Sequence, residues 1–270
     1  MQNLHLGTIG WSYDFWKGVF YPKKTVSKDY LPYYAHQFNT VEVDSTFYRI
    51  PAKTTVTNWK QQVNQNFLFS LKFPQLITHI RMLKDCQYET DIFLETVGLL
   101  GEKLGALLLQ FPPNFGVDHL SDLEVYLEKL PKVHRYVIEV RNKSLLTPAF
   151  YSLLTDNKVA LAWADTPLMA QIGEVTADFL YIRWEGDRKR VNGTLGKIEI
   201  NRAEDLKTEA EKLTPFLGKM DVLGYFGKYY SGYPPLDIAI IQDYLDANEA
   251  GRKKCFLKKF RSTATTSRTL

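Results

Sequence analysis

Short apolar runs recur along this chain, and between them lie stretches whose apolar positions repeat at helical spacing. The runs read as eight strands: His5–Trp11, Thr40–Asp44, Phe67–Lys72, Gly105–Gln110, Tyr136–Asn142, Val159–Asp165, Phe179–Glu185 and Asp221–Phe226. Strand side chains alternate between faces. In Tyr136–Asn142, Ile138 and Val140 share one face, while Val137, Glu139 and Arg141 share the other. Val41 and Val43 likewise oppose Glu42 and Asp44, and Phe69 and Leu71 oppose Ser70 and Lys72. A strand that is apolar on both faces until a charge enters one of them suits a buried parallel strand opening onto a site. Leu31, Tyr34, Ala35 and Phe38 make an apolar stripe that predicts a helix over 28–37. Further helices are expected near 55–63, 89–100, 120–130, 148–156 and 236–245. Pro112 and Pro113 end the fourth strand, because proline cannot donate to the ladder.

This rhythm predicts parallel βαβ units, and eight strands are the number that closes a barrel. The expected fold is therefore α/β: a closed (β/α)8 TIM-type barrel, one domain over residues 1–250. An open doubly wound sheet would show a glycine-rich turn after its first strand. Trp11-Ser12-Tyr13-Asp14 is not one.

Composition changes this picture little. The chain has 270 residues, 45% hydrophobic and 24% charged, as an ordinary globular protein does. No apolar run reaches the roughly 20 residues a membrane span needs. Met1-Gln2-Asn3-Leu4 lacks the character of a signal peptide. Cys86 and Cys255 form no metal or redox motif, so a reducing cytoplasm is expected. Charge is uneven. Seven of the 34 basic residues lie in 252–270 with no acid, leaving 27 basic against 30 acidic residues elsewhere. Residues 251–270 are expected to be a flexible, partly disordered basic tail. Such a tail suits contact with nucleic acid or another polyanion.

Barrel chemistry sits at the C-terminal ends of the strands. Polar residues gather there: Glu42, Asp44, Lys72, Gln110, Glu139, Arg141, Asp165, Arg183 and Glu185, with Tyr48, Arg49 and His79 from the next loops. Burying so many charges is expensive unless they are paired or face a cleft. Glu139, Asp165 and Glu185 are the candidate acid–base groups. Arg141, Arg183 and Lys72 are the candidate anion holders, and Trp11 and Tyr13 candidate stacking surfaces. Residues two apart on a strand also suit internal salt bridges, Glu139 with Arg141 and Arg183 with Glu185. If these charges serve a ligand, Arg183→Met should be nearly neutral. If Arg183 closes an internal network, its loss strands a carboxylate. The loops Gly186–Gly196 and Gly227–Tyr233, glycine-rich and basic, suit an anion. No serine elbow, phosphate-binding lysine loop or zinc-protease motif occurs. No cofactor is expected. A divalent metal held by His79 with Glu42, Glu139, Asp165 or Glu185 is the lesser alternative.

Several stretches carry a resemblance. They are Gly7-Thr8-Ile9-Gly10-Trp11-Ser12-Tyr13 with Trp16, Gly18, Phe20, Tyr21 and Pro22, then Thr40–Arg49 with Pro51, and Lys72 with Thr78-His79. Lys103-Leu104-Gly105 through Gln110-Phe111-Pro112, Glu139-Val140-Arg141, Asp165, and Tyr181-Ile182-Arg183 with Gly186 continue it. In these the chain resembles the YecE-like family, number 72 of the domains of unknown function. The resemblance implies a barrel and no assigned activity. Many members have asparagine where Asp44 stands and a paired asparagine at Gly227-Lys228. The chemistry expected is an enzyme, hydrolase- or lyase-like, acting on a small anionic substrate such as a phosphorylated sugar or nucleotide. A non-catalytic binder of nucleic acid is the alternative.

Overall fold

A computed structural model describes residues 3–167, 169 and 172–248. Its strands are β1 (Leu4–Ile9), β2 (Thr40–Val43), β3 (Leu68–Lys72), β4 (Leu104–Gln110), β5 (Tyr136–Glu139), β6 (Ala160–Leu161), β7 (Trp163–Asp165), β8 (Phe179–Gly186) and β9 (Asp221–Tyr229). All pair in parallel, in the order β6-β5-β4-β3-β2-β1-β9-β8-β7. The two ends of that order are one strand of the expected eight, interrupted at Ala162. Its first half pairs with β5 and its second with β8. The Ala162 N–H donates to the Ile138 carbonyl at 2.9 Å. The chain itself thus joins the sheet's two ends into a barrel. At the break the Thr176 hydroxyl accepts from the Leu161 N–H at 2.9 Å and donates to the Val159 carbonyl at 2.7 Å, standing in for a neighbouring strand.

Around the barrel run α1 (Tyr30–Gln37), α2 (Lys53–Gln62), α3 (Gln87–Gly98), α4 (Leu120–Lys129), α5 (Pro148–Asp156), α6 (Ala203–Leu213) and α7 (residues 234–248). Proline opens α5 at a position whose N–H has no helical partner, and the Thr147 hydroxyl caps that end by accepting from the Phe150 N–H at 3.2 Å. The expected helices are present, and α6 is an additional one. Its stripe is Leu206, Ala210 and Leu213, all fully buried, at the spacing of one helix face. No helix lies between β7 and β8 among the described residues.

Packing follows the alternation. Ala106, Leu108, Val137, Ala160, Ala162, Phe179, Tyr181, Leu223 and Tyr225 fill the barrel interior. The opposite faces pack against the helices in two clusters. One lies under α1 to α5 and includes Val41, Phe69, Leu109 and Ile138. The other lies under α6 and α7 and includes Leu6, Ile182, Trp184 and Phe226. No helix among the described residues is long and apolar enough to cross a membrane. The basic stretch 251–270 lies outside the described residues.

Candidate functional site

The barrel interior changes chemistry with height. Near the N-terminal end it is hydrocarbon: Leu68, Phe179 and Leu223. Above them the Tyr225 hydroxyl bonds to the Thr40 and Ser70 hydroxyls, each at 2.8 Å. The Tyr181 ring sits 5.1 Å from that of Tyr225. Its hydroxyl donates to Glu42 Oε2 at 2.8 Å. From there to the mouth the inward positions are charged.

Arg183, 3% exposed, is the hub. Its Nε and Nη2 donate to the two oxygens of Glu42, at 2.9 and 2.8 Å. Its Nη1 donates to Glu139 Oε2 and to Glu185 Oε1. Arg141 closes the set: Nε donates to Glu139 Oε1 at 2.6 Å and Nη2 to Glu185 Oε1 at 2.7 Å. Glu42 and Glu139 are wholly buried. Desolvation acts on both, with opposite outcomes. It raises the Glu42 pKa above the ordinary value, against the pull of Arg183. At Glu139, burial is outweighed by Arg183, Arg141 and Lys72, which hold the carboxyl down to about 2. Burial also pushes the Tyr181 hydroxyl well up, so it remains a neutral donor to Glu42.

Above this network opens a cavity of about 220 Å³, lined by Ile9, Tyr13, Asp44, Lys72, Gln110, Arg141, Arg183, Glu185 and Gly227–Tyr229. Lys72 Nζ lies 3.5 Å from Asp44 Oδ1 and 4.0 Å from the Phe47 ring centroid. Lys228 is held by rings: its Nζ lies 5.6, 5.8 and 5.0 Å from the centroids of Tyr13, Phe15 and Tyr229. Among the described residues, no carboxylate lies within ion-pairing distance of it. Glu185 Oε2 and Arg141 Nη1 likewise have no hydrogen-bond partner there. Gly186 lets β8 pass β9 here, since a Cβ on it would fall 2.1 Å from the Tyr229 carbonyl oxygen.

Of the residues expected at the mouth, Asp44, Lys72, Gln110, Arg141, Arg183, Glu185 and Tyr13 line the cavity, with Glu42 and Glu139 beneath them. His79 sits beside them on a π-helical turn, Leu76–Ile80, its ring 4.9 Å from that of Phe47. Burial, then Lys72 and Arg141, lower its pKa to about 4, so the imidazole is neutral. Four residues are elsewhere. The 3-10 turn Asp44–Phe47 carries Tyr48 and Arg49 out to solvent. Trp11 packs edge-on to Trp59, 5.6 Å between centroids, on the outer layer. Asp165 follows Trp163 outward, because Ala160 and Ala162 take the inward positions. It faces Arg202 and α6, where burial raises its pKa. Arg183 is committed mainly to the network, with four of its five N–H donors on glutamates, although it also lines the cavity. In the loop after β8, two backbone donors are already taken: Glu199 accepts from the Asn192 and Gly193 N–H groups at 2.9 and 2.7 Å. Lys228 and the Tyr181 hydroxyl were not singled out in the sequence. Only the glycine-rich setting of Lys228 signals it.

Among the described residues no group of three or more His, Cys, Asp or Glu is placed to hold a metal ion. A larger cavity, about 980 Å³, opens at the other end of the barrel between His5, Asn39, Glu102, His134, Arg135 and Asp221. It lacks the convergence of charge seen at the mouth.

Fold and site together define a (β/α)8 barrel with an arginine–glutamate hub under its C-terminal mouth. Residues 5–259 match the family described as "Protein of unknown function DUF72", and the chain belongs to it. It is 32% identical over 139 residues to UPF0759 protein YecE of Escherichia coli (strain K12), a match covering 52% of this chain and 48% of that protein. It is 29% identical over 187 residues to UPF0759 protein YunF of Bacillus subtilis (strain 168), covering 63% and 62%. The chain thus spans about half the length of the Escherichia coli relative it matches. A DUF72 family protein of Thermotoga maritima shares the fold, with a TM-score of 0.77 at 24% identity over 90% of this chain and 99% of that one. One from Enterococcus faecalis does so at 0.70 and 23%, over 90% and 95%.

Proposed function

We propose that the mouth is the active site of an enzyme acting on a small anionic substrate. The observation that carries this is Lys228: a cation facing a cavity, held by three rings and matched to no carboxylate among the described residues. With Lys72 and the free Nη1 of Arg141 it offers an anion three donors around one small space. Its volume of about 220 Å³ lies below the roughly 300–1,000 Å³ of pockets that take drug-sized ligands. That favours a phosphate group or a short-chain phosphorylated sugar or acid over a whole nucleotide. Glu185 is the proton-transfer group, because both arginines hold its Oε1 and its Oε2 is left free. Glu139 is locked and ionised, and serves to hold the arginines. Asp165 has no part in this reading. Such an arrangement suits hydrolytic or eliminative chemistry, in which one carboxylate gives or takes a proton beside a fixed anion.

Thermal unfolding with inorganic phosphate and small carboxylates tests the reading. A ligand at about 100 times its Kd stabilises by about 2.7 kcal/mol. We expect phosphate to raise the Tm of the wild type and Lys228→Met, which keeps the stem against the rings, to lose most of that rise. No anion-dependent rise, or an equal rise in both proteins, overturns it. The expected contact with nucleic acid rests on residues 252–270. Polyanion binding that is steep in salt and vanishes when they are removed would assign it to the tail.

A further inference from the structure

Lys72 differs from the other paired lysines of the structure. Lys17, Lys53, Lys84 and Lys212 reach carboxylates at 3.0, 2.5, 3.2 and 2.6 Å with side chains 38–61% exposed. Lys72 is 8% exposed and lines the mouth cavity. It ends β3, and the Thr46 hydroxyl pins its carbonyl at 2.7 Å. Its Nζ makes no hydrogen bond to any described residue. The nearest acid, Asp44 Oδ1 at 3.5 Å, is beyond the 2.7–2.9 Å of a charge-assisted bond. One side of the ammonium lies against the face of Phe47. Arg141, Arg183 and Lys228 share the cavity wall. A buried lysine stem whose amine faces a small cavity, backed by a ring on one side, is placed to meet a bound ligand as a nucleophile.

We infer that Lys72 forms an imine with a carbonyl group carried by the small anion. This rests on the reading of the mouth as an anion site. The class it names is a short 2-oxo acid or a phosphorylated aldehyde or ketone, whose acid group meets Lys228 and Arg141 while its carbonyl carbon meets Nζ. The ammonium passes one proton to the Asp44 carboxylate, and the neutral amine attacks the carbonyl carbon. Asp44 returns that proton to the oxygen. A second proton follows from nitrogen, and the oxygen leaves as water. One C–N double bond replaces one C–O double bond, and the single positive charge remains on nitrogen. The iminium then draws the electron pair of an adjacent C–H bond toward nitrogen while Glu185 takes the proton, giving an enamine.

Reductive trapping tests it on the full chain. The protein is incubated with pyruvate, glyoxylate or glyceraldehyde 3-phosphate, reduced with sodium borohydride, and mapped by peptide mass spectrometry. The expected result is one dominant adduct, on Lys72, saturable in the probe and competed by inorganic phosphate. Lys72→Arg keeps the charge and forms no imine; once its thermal unfolding shows it folded, it should lose the adduct. A reaction favouring only the oxo acids or only the phosphorylated carbonyls assigns the source. Labelling spread evenly over surface lysines, or no adduct on Lys72 with any probe, overturns the imine. If phosphate still raises the Tm in a Lys228-dependent way, the anion site survives that failure. If it does not, both readings fall.

Discussion

Each end of the barrel sets an arginine against acids, and the two settings differ in what water can do. At the N-terminal end Arg135 Nη2 donates to Asp221 Oδ2 at 2.6 Å, and the guanidinium lies 5.3 Å from the centre of the Phe179 ring. Those side chains are 40% and 27% exposed, beside an open cavity. At the mouth Arg183 is 3% exposed and holds three glutamates, two of them wholly buried. If the first pair breaks, solvent takes over both charges. If the second breaks, Arg141 still reaches Glu139 and Glu185, but the buried Glu42 keeps only the neutral Tyr181 hydroxyl. The same chemical pair is thus a minor contact in one place and a structural requirement in the other.

The largest effect should come from breaking the hub. Arg183→Met is expected to lose about 3–5 kcal/mol of unfolding free energy, the usual penalty for stranding a buried charge. The near-neutral outcome expected of a ligand-facing arginine does not fit an arginine that spends four of its five N–H donors on three glutamates. Urea unfolding of wild type and variant decides. A loss below about 1 kcal/mol would mean the glutamates repair themselves by protonation.

A second, smaller effect lies behind the mouth. Asp237, in the first turn of α7, is 1% exposed; its Oδ2 accepts from the Ser231 hydroxyl at 2.5 Å and its Oδ1 has no partner. Burial, opposed by Ser231 and Arg202, pushes its pKa up to about 7. A carboxyl raised in the folded state binds its proton more tightly there than when unfolded. Its contribution is therefore full below about pH 4 and is lost as pH rises through 7. Asp237→Asn should remove that slope and stabilise the protein at pH 8 relative to wild type by about 2–4 kcal/mol. Unfolding curves at pH 5 and pH 8 that shift equally in the two proteins would contradict this.

Much of the mouth was legible because its signal is local. Glu139 with Arg141, and Arg183 with Glu185, are two apart on strands, so period-two alternation alone places each pair on one face. Glu42 and Lys72 follow from the same rule. The rule failed at Asp165. Its strand is interrupted at Ala162, and small alanines on the inner face gave no contrast to show that Trp163, and Asp165 with it, point outward. The helix α6 was obscured because a long glycine-rich loop precedes its stripe. Lys228 depends on Tyr13 and Phe15, more than two hundred residues away, and the Tyr181 bond to Glu42 spans 139 positions. Contacts of that kind exist only once the barrel has closed.

The smallest effect belongs to the N-terminal pair, and its smallness is what separates the two ends. Asp221→Asn should cost about 0–1 kcal/mol, since Arg135 keeps both solvent and the Phe179 face. Salt should shrink even that difference, because the pair lies in reach of screening ions. His5 supplies a direct reading of the same change. Burial lowers its pKa, Asp221 raises it and Arg135 lowers it. Removing Asp221 takes away the upward pull, so the imidazole should titrate at lower pH in the variant, as followed by NMR. A lowered histidine contributes stability above its unfolded pKa that is lost as pH falls, so Asp221→Asn should also steepen the acid side of the stability curve. The Lys228-dependent response to phosphate should stay unchanged. A loss of several kcal/mol in this variant, or a weakened anion response, would show that the two ends are coupled through the barrel interior.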